Sequence, residues 1–81
     1  MSEIVLYGAN WCGDCRRAKA WLREHEVPFT DIDVEQDDAA RDRAIELAGG
    51  RKNIPVIALP DGRVLVEPTN TELAEAVQGQ A

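Results

Sequence analysis

Apolar residues run without a break from Ile4 through Val5 and Leu6 to Tyr7, and stop at Gly8. A continuous run of this kind predicts a buried strand from Glu3 to Gly8. Gly8-Ala9-Asn10-Trp11 then reads as a loop. The period changes after it. Cys15, Ala18 and Leu22 recur at i, i+3 and i+7, while Arg16, Lys19, Arg23 and Glu26 populate the other faces, which predicts a helix from Gly13 to about Glu26. Pro28 makes its end sharp. Phe29, Ile32 and Val34 set against Thr30, Asp31 and Asp33 give an imperfect alternation, and with it a second strand over Phe29 to Val34.

Asp37 or Asp38 caps a second helix reaching about Ala48, with its acidic residues at the positive end. Ala40, Ala44, Leu47 and Ala48 form its stripe, Ile45 lies at the edge, and Gly49-Gly50 stops it. Ile54 to Leu59 is a short apolar run and Pro60-Asp61-Gly62 a tight hairpin turn. Arg63 to Glu67 follows as a strand, with Val64 and Val66 set against Arg63, Leu65 and Glu67. Thr69 and Glu72 have capping-box spacing for a last helix whose apolar face is Leu73, Ala76 and Val77. The tail from Gln78 to Ala81 is expected to fray.

The order strand, helix, strand, helix, strand, strand, helix predicts an α/β fold. Its first strand–helix–strand unit is a right-handed crossover between parallel neighbours, and its last two strands form an antiparallel hairpin. The simplest assembly is a four-stranded mixed sheet flanked by three helices. With 81 residues, 44% of them hydrophobic and 30% charged, the chain suffices for one domain spanning 1–81.

Charge narrows the partners. Fifteen acidic residues against nine basic ones leave a net charge of −6, which excludes a phosphate-binding face and hence nucleic acid. No segment approaches the roughly 18 apolar residues that cross a bilayer. The N-terminus lacks the basic and apolar regions of a signal peptide, so a cytoplasmic protein is expected. In that compartment a disulfide is transient and catalytic rather than structural.

The chemistry resides in Trp11-Cys12-Gly13-Asp14-Cys15, which holds both cysteines of the chain. A strand, then Cys-x-x-Cys, then a helix is the arrangement of a thiol–disulfide redox site. Cys12 falls at the start of the helix, where unpaired N–H groups and the helix dipole favour a thiolate. Cys15 lies one turn on, close enough to bridge. Cys12 is therefore the attacking sulfur and Cys15 the resolving one. Arg16 and Arg17 are cations near the pair, whereas Asp14 opposes a thiolate by like-charge repulsion. A structural zinc needs four ligands, and the chain offers two cysteines and His25. A bridge closing so short a loop adds little stability, which argues against a structural disulfide. Trp11 would shield the sulfur or present a flat docking face, and Tyr7, ending the first strand, would line the site.

With the later Ile54-Pro55, the chain resembles the glutaredoxins over nearly its whole length, and most closely the small mycoredoxins. The matching segments are Trp11-Cys12-Gly13-Asp14-Cys15, Asp31-Ile32-Asp33-Val34-Glu35, Gly49-Gly50 with Asn53-Ile54-Pro55-Val56, and Asp61-Gly62 with Glu67-Pro68-Thr69. The resemblance implies a thioredoxin-like fold with Pro55 in cis beside the sulfurs. It implies that the Ile54 backbone pairs with an extended partner. It also implies an oxidoreductase that needs no cofactor beyond its own disulfide and uses a low-molecular-weight thiol as co-substrate. Thiolated or disulfide-bonded proteins would be its partners, a flavin disulfide reductase a possible source of electrons, and a monomer its state. Arg51 and Lys52 would contact a carboxylate of the thiol. Where many glutathione-using members carry lysine three residues before the nucleophile, this chain has Ala9. Where they carry Gly-Gly and an acidic residue after the last strand, it has Glu67-Pro68-Thr69-Asn70-Thr71. A thiol such as mycothiol or bacillithiol is then an alternative to glutathione. The other functional reading is a dedicated electron carrier to one enzyme, such as ribonucleotide reductase.

Overall fold

The computed structural model describes residues 3–79. Its elements are β1 (Ile4–Gly8), α1 (Gly13–Glu24), β2 (Phe29–Asp33), α2 (Asp38–Leu47), β3 (Val56–Ala58), β4 (Val64–Val66) and α3 (Asn70–Gln78). The four strands form one mixed sheet in the order β2-β1-β3-β4. β1 runs parallel to β2 and antiparallel to β3, and β4 closes the hairpin on β3. The expected α/β thioredoxin-like architecture, a four-stranded mixed sheet with three helices, is thus present.

Side chains alternate across the sheet and divide the core in two. Ile4, Leu6 and Ile57 point to one face, where Ala18 and Leu22 of α1 and Leu73 and Ala76 of α3 cover them. Tyr7 and Val56 point to the other, under Ala44 of α2 and its C-cap Ala48. Leu6, Leu22, Ile57 and Leu73 are completely buried, each such side chain contributing about 1.5–3 kcal/mol from the area it removes from water. The imperfect alternation of β2 has the same cause: Phe29 packs on the α1 side and Ile32 on the α2 side. Leu65 likewise packs toward α1 while Val64 and Val66 pack toward α2, so all three residues of β4 are apolar.

The elements end where local chemistry stops them. Asp37 caps α2 by accepting the Ala40 N–H at 3.0 Å. α3 opens with the reciprocal bonds of a capping box, Glu72 N–H to Thr69 Oγ1 at 3.1 Å and Thr69 N–H to Glu72 Oε1 at 2.8 Å. α2 closes with Gly50 N–H on the Ile45 carbonyl and Gly49 N–H on the Glu46 carbonyl, Gly49 having a φ of +71°. α1 closes in the same way, with Val27 N–H on Leu22 and Glu26 N–H on Arg23, but the left-handed position is a glutamate, Glu26, at φ 55°. The helix therefore ends at Glu24, short of the expected Glu26. β3 starts at Val56, later than the apolar run suggested, because the segment through Ile54 and Pro55 is not in the strand ladder. Gln78 remains helical and Gly79 caps it; the rest of the expected frayed tail, residues 80 and 81, lies outside the described residues.

Candidate active site

Cys12 is the N-cap of α1, in extended backbone geometry (φ −81°, ψ 116°). Its Sγ accepts the backbone N–H of Cys15 at 3.3 Å and lies 3.9 Å from the Ile54 carbonyl oxygen. The first turn of a helix offers N–H groups that have no partner within it, and here one of them is aimed at sulfur. Cys12 is 8% exposed and Cys15 fully buried, and neither is in a disulfide. The Cys15 thiol is pushed up to about 12, chiefly by burial and then by its hydrogen bond to Cys12; the Cys12 charge pushes the same way, and Lys19 and the Ala9 backbone pull back.

The close approach of α1 to the sheet is set by a glycine. A Cβ on Gly8 would stand 2.7 Å from Cys15 Sγ and 3.1 Å from Cys15 Cβ. Only hydrogen at this position lets Cys15 lie over the end of β1. Across the site, the Ile54–Pro55 peptide bond is cis. The Pro55 carbonyl accepts the Glu67 N–H at 2.9 Å, and the Asn53 amide donates to Glu67 Oε1 at 2.6 Å. These two bonds tie the Pro55 loop to the end of β4.

Ala9, Cys12 and Cys15 form a small apolar cluster against Ile54. Beside it opens a groove of about 490 Å³, lined by Ala9, Trp11, Glu35, Ile45, Lys52 and Ile54 among others. Trp11 stands at its wall, 65% exposed, with its indole N–H on Glu35 Oε2 at 2.6 Å. Trp11, Lys52 and Ile54 line this groove together, and Pro55, next to Ile54 in the chain, is completely buried.

Other expected residues lie elsewhere. Tyr7 is buried on the α2 side of the sheet with Val34, Ala44 and Val56, because odd positions of β1 face away from α1. Arg51 is exposed and directs Nε to the Ala48 carbonyl at 3.3 Å, outside the groove lining. Arg17 bonds the Pro68 carbonyl at 3.2 Å and Asp14 at 3.4 Å, which occupies it away from Cys12. His25 stacks on Trp21 with centroids 4.0 Å apart, at the far end of α1. Lys19, assigned from its spacing to an outer face, is buried instead. Gly8, Glu35 and Lys19 were not foreseen as site residues, although Lys19 falls one turn after Cys15 and Gly8 directly precedes the loop to Cys12.

The sequence profile of the Glutaredoxin family matches residues 4–65 of this chain. The chain belongs to the glutaredoxin family. Mycoredoxin 1 of Corynebacterium glutamicum is 27% identical over the whole of both chains. The glutaredoxin-like protein NrdH of Lactococcus lactis is 33% identical over 72% of this chain and 78% of its own length. Among solved structures, a glutaredoxin from Archaeoglobus fulgidus superposes with a TM-score of 0.85 at 23% identity, covering 98% of this chain and 89% of its own. As a glutaredoxin, the protein is a thiol oxidoreductase whose partners are thiols and protein disulfides. Its Cys12–Cys15 spacing fits that chemistry. Among the described residues no helix is long and apolar enough to cross a membrane.

Proposed function

We propose that this glutaredoxin reduces mixed disulfides between proteins and a low-molecular-weight thiol, and protein disulfides, through attack by Cys12 and resolution by Cys15. The observation that carries this reading is the asymmetry of the two sulfurs. Cys12 holds the helix N-cap and receives an N–H, whereas Cys15 lies fully buried behind it. The Cys12 thiolate attacks one sulfur of the target disulfide, a bond forms between them, and the other half leaves as a thiolate. Cys15 then loses its proton and attacks Cys12 Sγ. The second half departs and takes up the proton, and the Cys12–Cys15 disulfide retains the oxidising equivalents. A small thiol or a flavin disulfide reductase restores the dithiol.

The groove supports a small thiol as co-substrate, since its volume lies in the range of about 300–1,000 Å³ common for small-molecule sites and Lys52 offers a cation to a carboxylate. Ala9, at 1% exposure against Cys12, removes the lysine that many glutathione-using members carry and favours a thiol such as mycothiol or bacillithiol. The second reading, an electron carrier docked on one enzyme such as ribonucleotide reductase, is favoured by the exposed face of Trp11.

Turnover with Cys15→Ser separates the routes. Continued removal of a small thiol from a protein by this variant establishes a monothiol route. Loss of that activity, with wild-type protein reducing insulin, establishes the dithiol route. Cys12→Ser is expected to abolish both, and survival of either activity overturns the assignment.

A further inference from the structure

Lys19 is the charged residue buried in this protein, 7% exposed among the described residues. Its position follows from how α1 lies on the sheet. Cys15 sits over Gly8, Arg23 lies 5.6 Å over the Phe29 ring, and Lys19 is midway between them. One helical turn of four residues advances about 6 Å and two strand residues about 6.6 Å, so the helix and the strands stay in step. Lys19 therefore comes down on the row formed by Leu6 and its β2 partner Asp31. Its Nζ lies 3.2 Å from Asp31 Oδ2. Cys15 and Lys19 share the buried face of α1 at i and i+4, which places their side chains next to each other.

Burying an ammonium is costly unless it is paired. Two apolar side chains would fill the site with less desolvation, so the pair is not explained by stability alone. The resolving step leaves a charge to be held. For the Cys12–Cys15 bond to form, the Cys15 thiol must release its proton inside the core, where burial disfavours a thiolate. The cation on its own helix face is Lys19.

We propose that Lys19, held in place by Asp31, is a positioning residue for resolution: its ammonium stabilises the negative charge that gathers on the Cys15 sulfur as it attacks Cys12. The proton leaves with the departing thiolate, the Cys12–Cys15 bond forms, and the bond from Cys12 to the leaving sulfur breaks; Lys19 takes no part in the proton transfer. The inference rests on Cys15 being the resolving thiol.

The test uses the reduced whole chain and an aryl disulfide whose released thiolate is coloured, followed by stopped flow. Attack by Cys12 releases the first equivalent and resolution by Cys15 the second. Lys19→Met is expected to slow the second release about tenfold, equivalent to one unit of lost charge stabilisation, with the first release unchanged. Asp31 is 39% exposed and is re-solvated in this variant, so the fold is retained. Lys19→Gln, a polar neutral variant, should behave as Lys19→Met does. Lys19→Arg, which keeps the charge, should restore the second phase. A wild-type second phase in both neutral variants overturns the proposal, as does equal slowing of both phases or an arginine variant as slow as the methionine one. If wild-type protein itself releases a single equivalent, Cys15 is not the resolving thiol and both ideas fall together.

Discussion

Replacing Gly8 by alanine tests whether the redox pair depends on the approach of α1 to β1. Gly8 lies in extended β1 backbone, which alanine adopts readily, so any effect arises from contact. The new methyl would meet Cys15 Sγ at 2.7 Å, Cys15 Cβ at 3.1 Å and Leu6 Cδ2 at 3.2 Å. Cys15 and Leu6 are both fully buried, so neither can swing into solvent. Relief requires α1 to lift from the sheet. Overpacking of this kind costs about 1–3 kcal/mol, and the lower chain entropy of alanine returns roughly 0.4–1 kcal/mol. The net loss is about 1–2 kcal/mol, which in a domain of this size lowers Tm by roughly 5–15 °C. Calorimetry on reduced protein measures it. Lifting α1 carries its N-cap Cys12 together with Cys15, so the pair stays intact while Cys12 Sγ moves off the Ile54 carbonyl. A Tm equal to or above that of wild type would refute the argument, because it would mean the contact relaxes without moving the helix.

Two further outcomes follow from the same reasoning. The Cys15 thiol, pushed up to about 12 from 9.0, keeps its proton in the folded chain after the unfolded chain has lost its own. Stability from this group is present in full below the unfolded value of 9.0 and declines by about 1.4 kcal/mol per pH unit as pH rises from there toward the folded value. Urea titrations of the reduced protein between pH 8 and 11 should show that slope in excess of Cys15→Ala, and identical slopes would exclude it. Glu26→Gly should raise stability by about 0.5–1 kcal/mol, since glycine occupies the left-handed helix-ending position without the clash of a Cβ; an unchanged thermal midpoint would show the glutamate to be unstrained at φ 55°.

The residues that announced themselves in the sequence were those whose roles are local. Cys12 at the start of α1, a cap at Asp37 or Asp38, the Thr69–Glu72 box and the Gly49-Gly50 stop each depend on neighbours within a few positions; the structure has each, with Asp37 as the α2 cap. What stayed hidden depends on register between distant segments. Whether Tyr7 faces the groove or the α2 core is decided by which odd or even positions of β1 meet α1. Lys19 is polar by composition and was placed outside; Asp31, brought opposite by the parallel pairing of β1 with β2, makes its burial tolerable. Gly8 gave no signal as a contact residue because its role is a missing atom. The role of Glu35 as the Trp11 partner arises only once the loop after β2 folds back beside the loop after β1.

The sheet order places β1 between β2 and β3, which has a consequence during synthesis. β2 pairs with β1 through one short helical crossover, so the first half of the site can assemble from the leading part of the chain. The Ile54 and Pro55 wall arrives with β3, about forty residues after Cys15. At roughly 5–20 residues per second, the nascent chain carries its two thiols for about two to eight seconds before their covering segment leaves the ribosome. Over that interval the cysteines lack the Ile54 side of their shelter, and an oxidant or a stray disulfide meets them without the groove of the finished protein. The order of the strands thus leaves the two thiols of the newly made chain more open than those of the mature one.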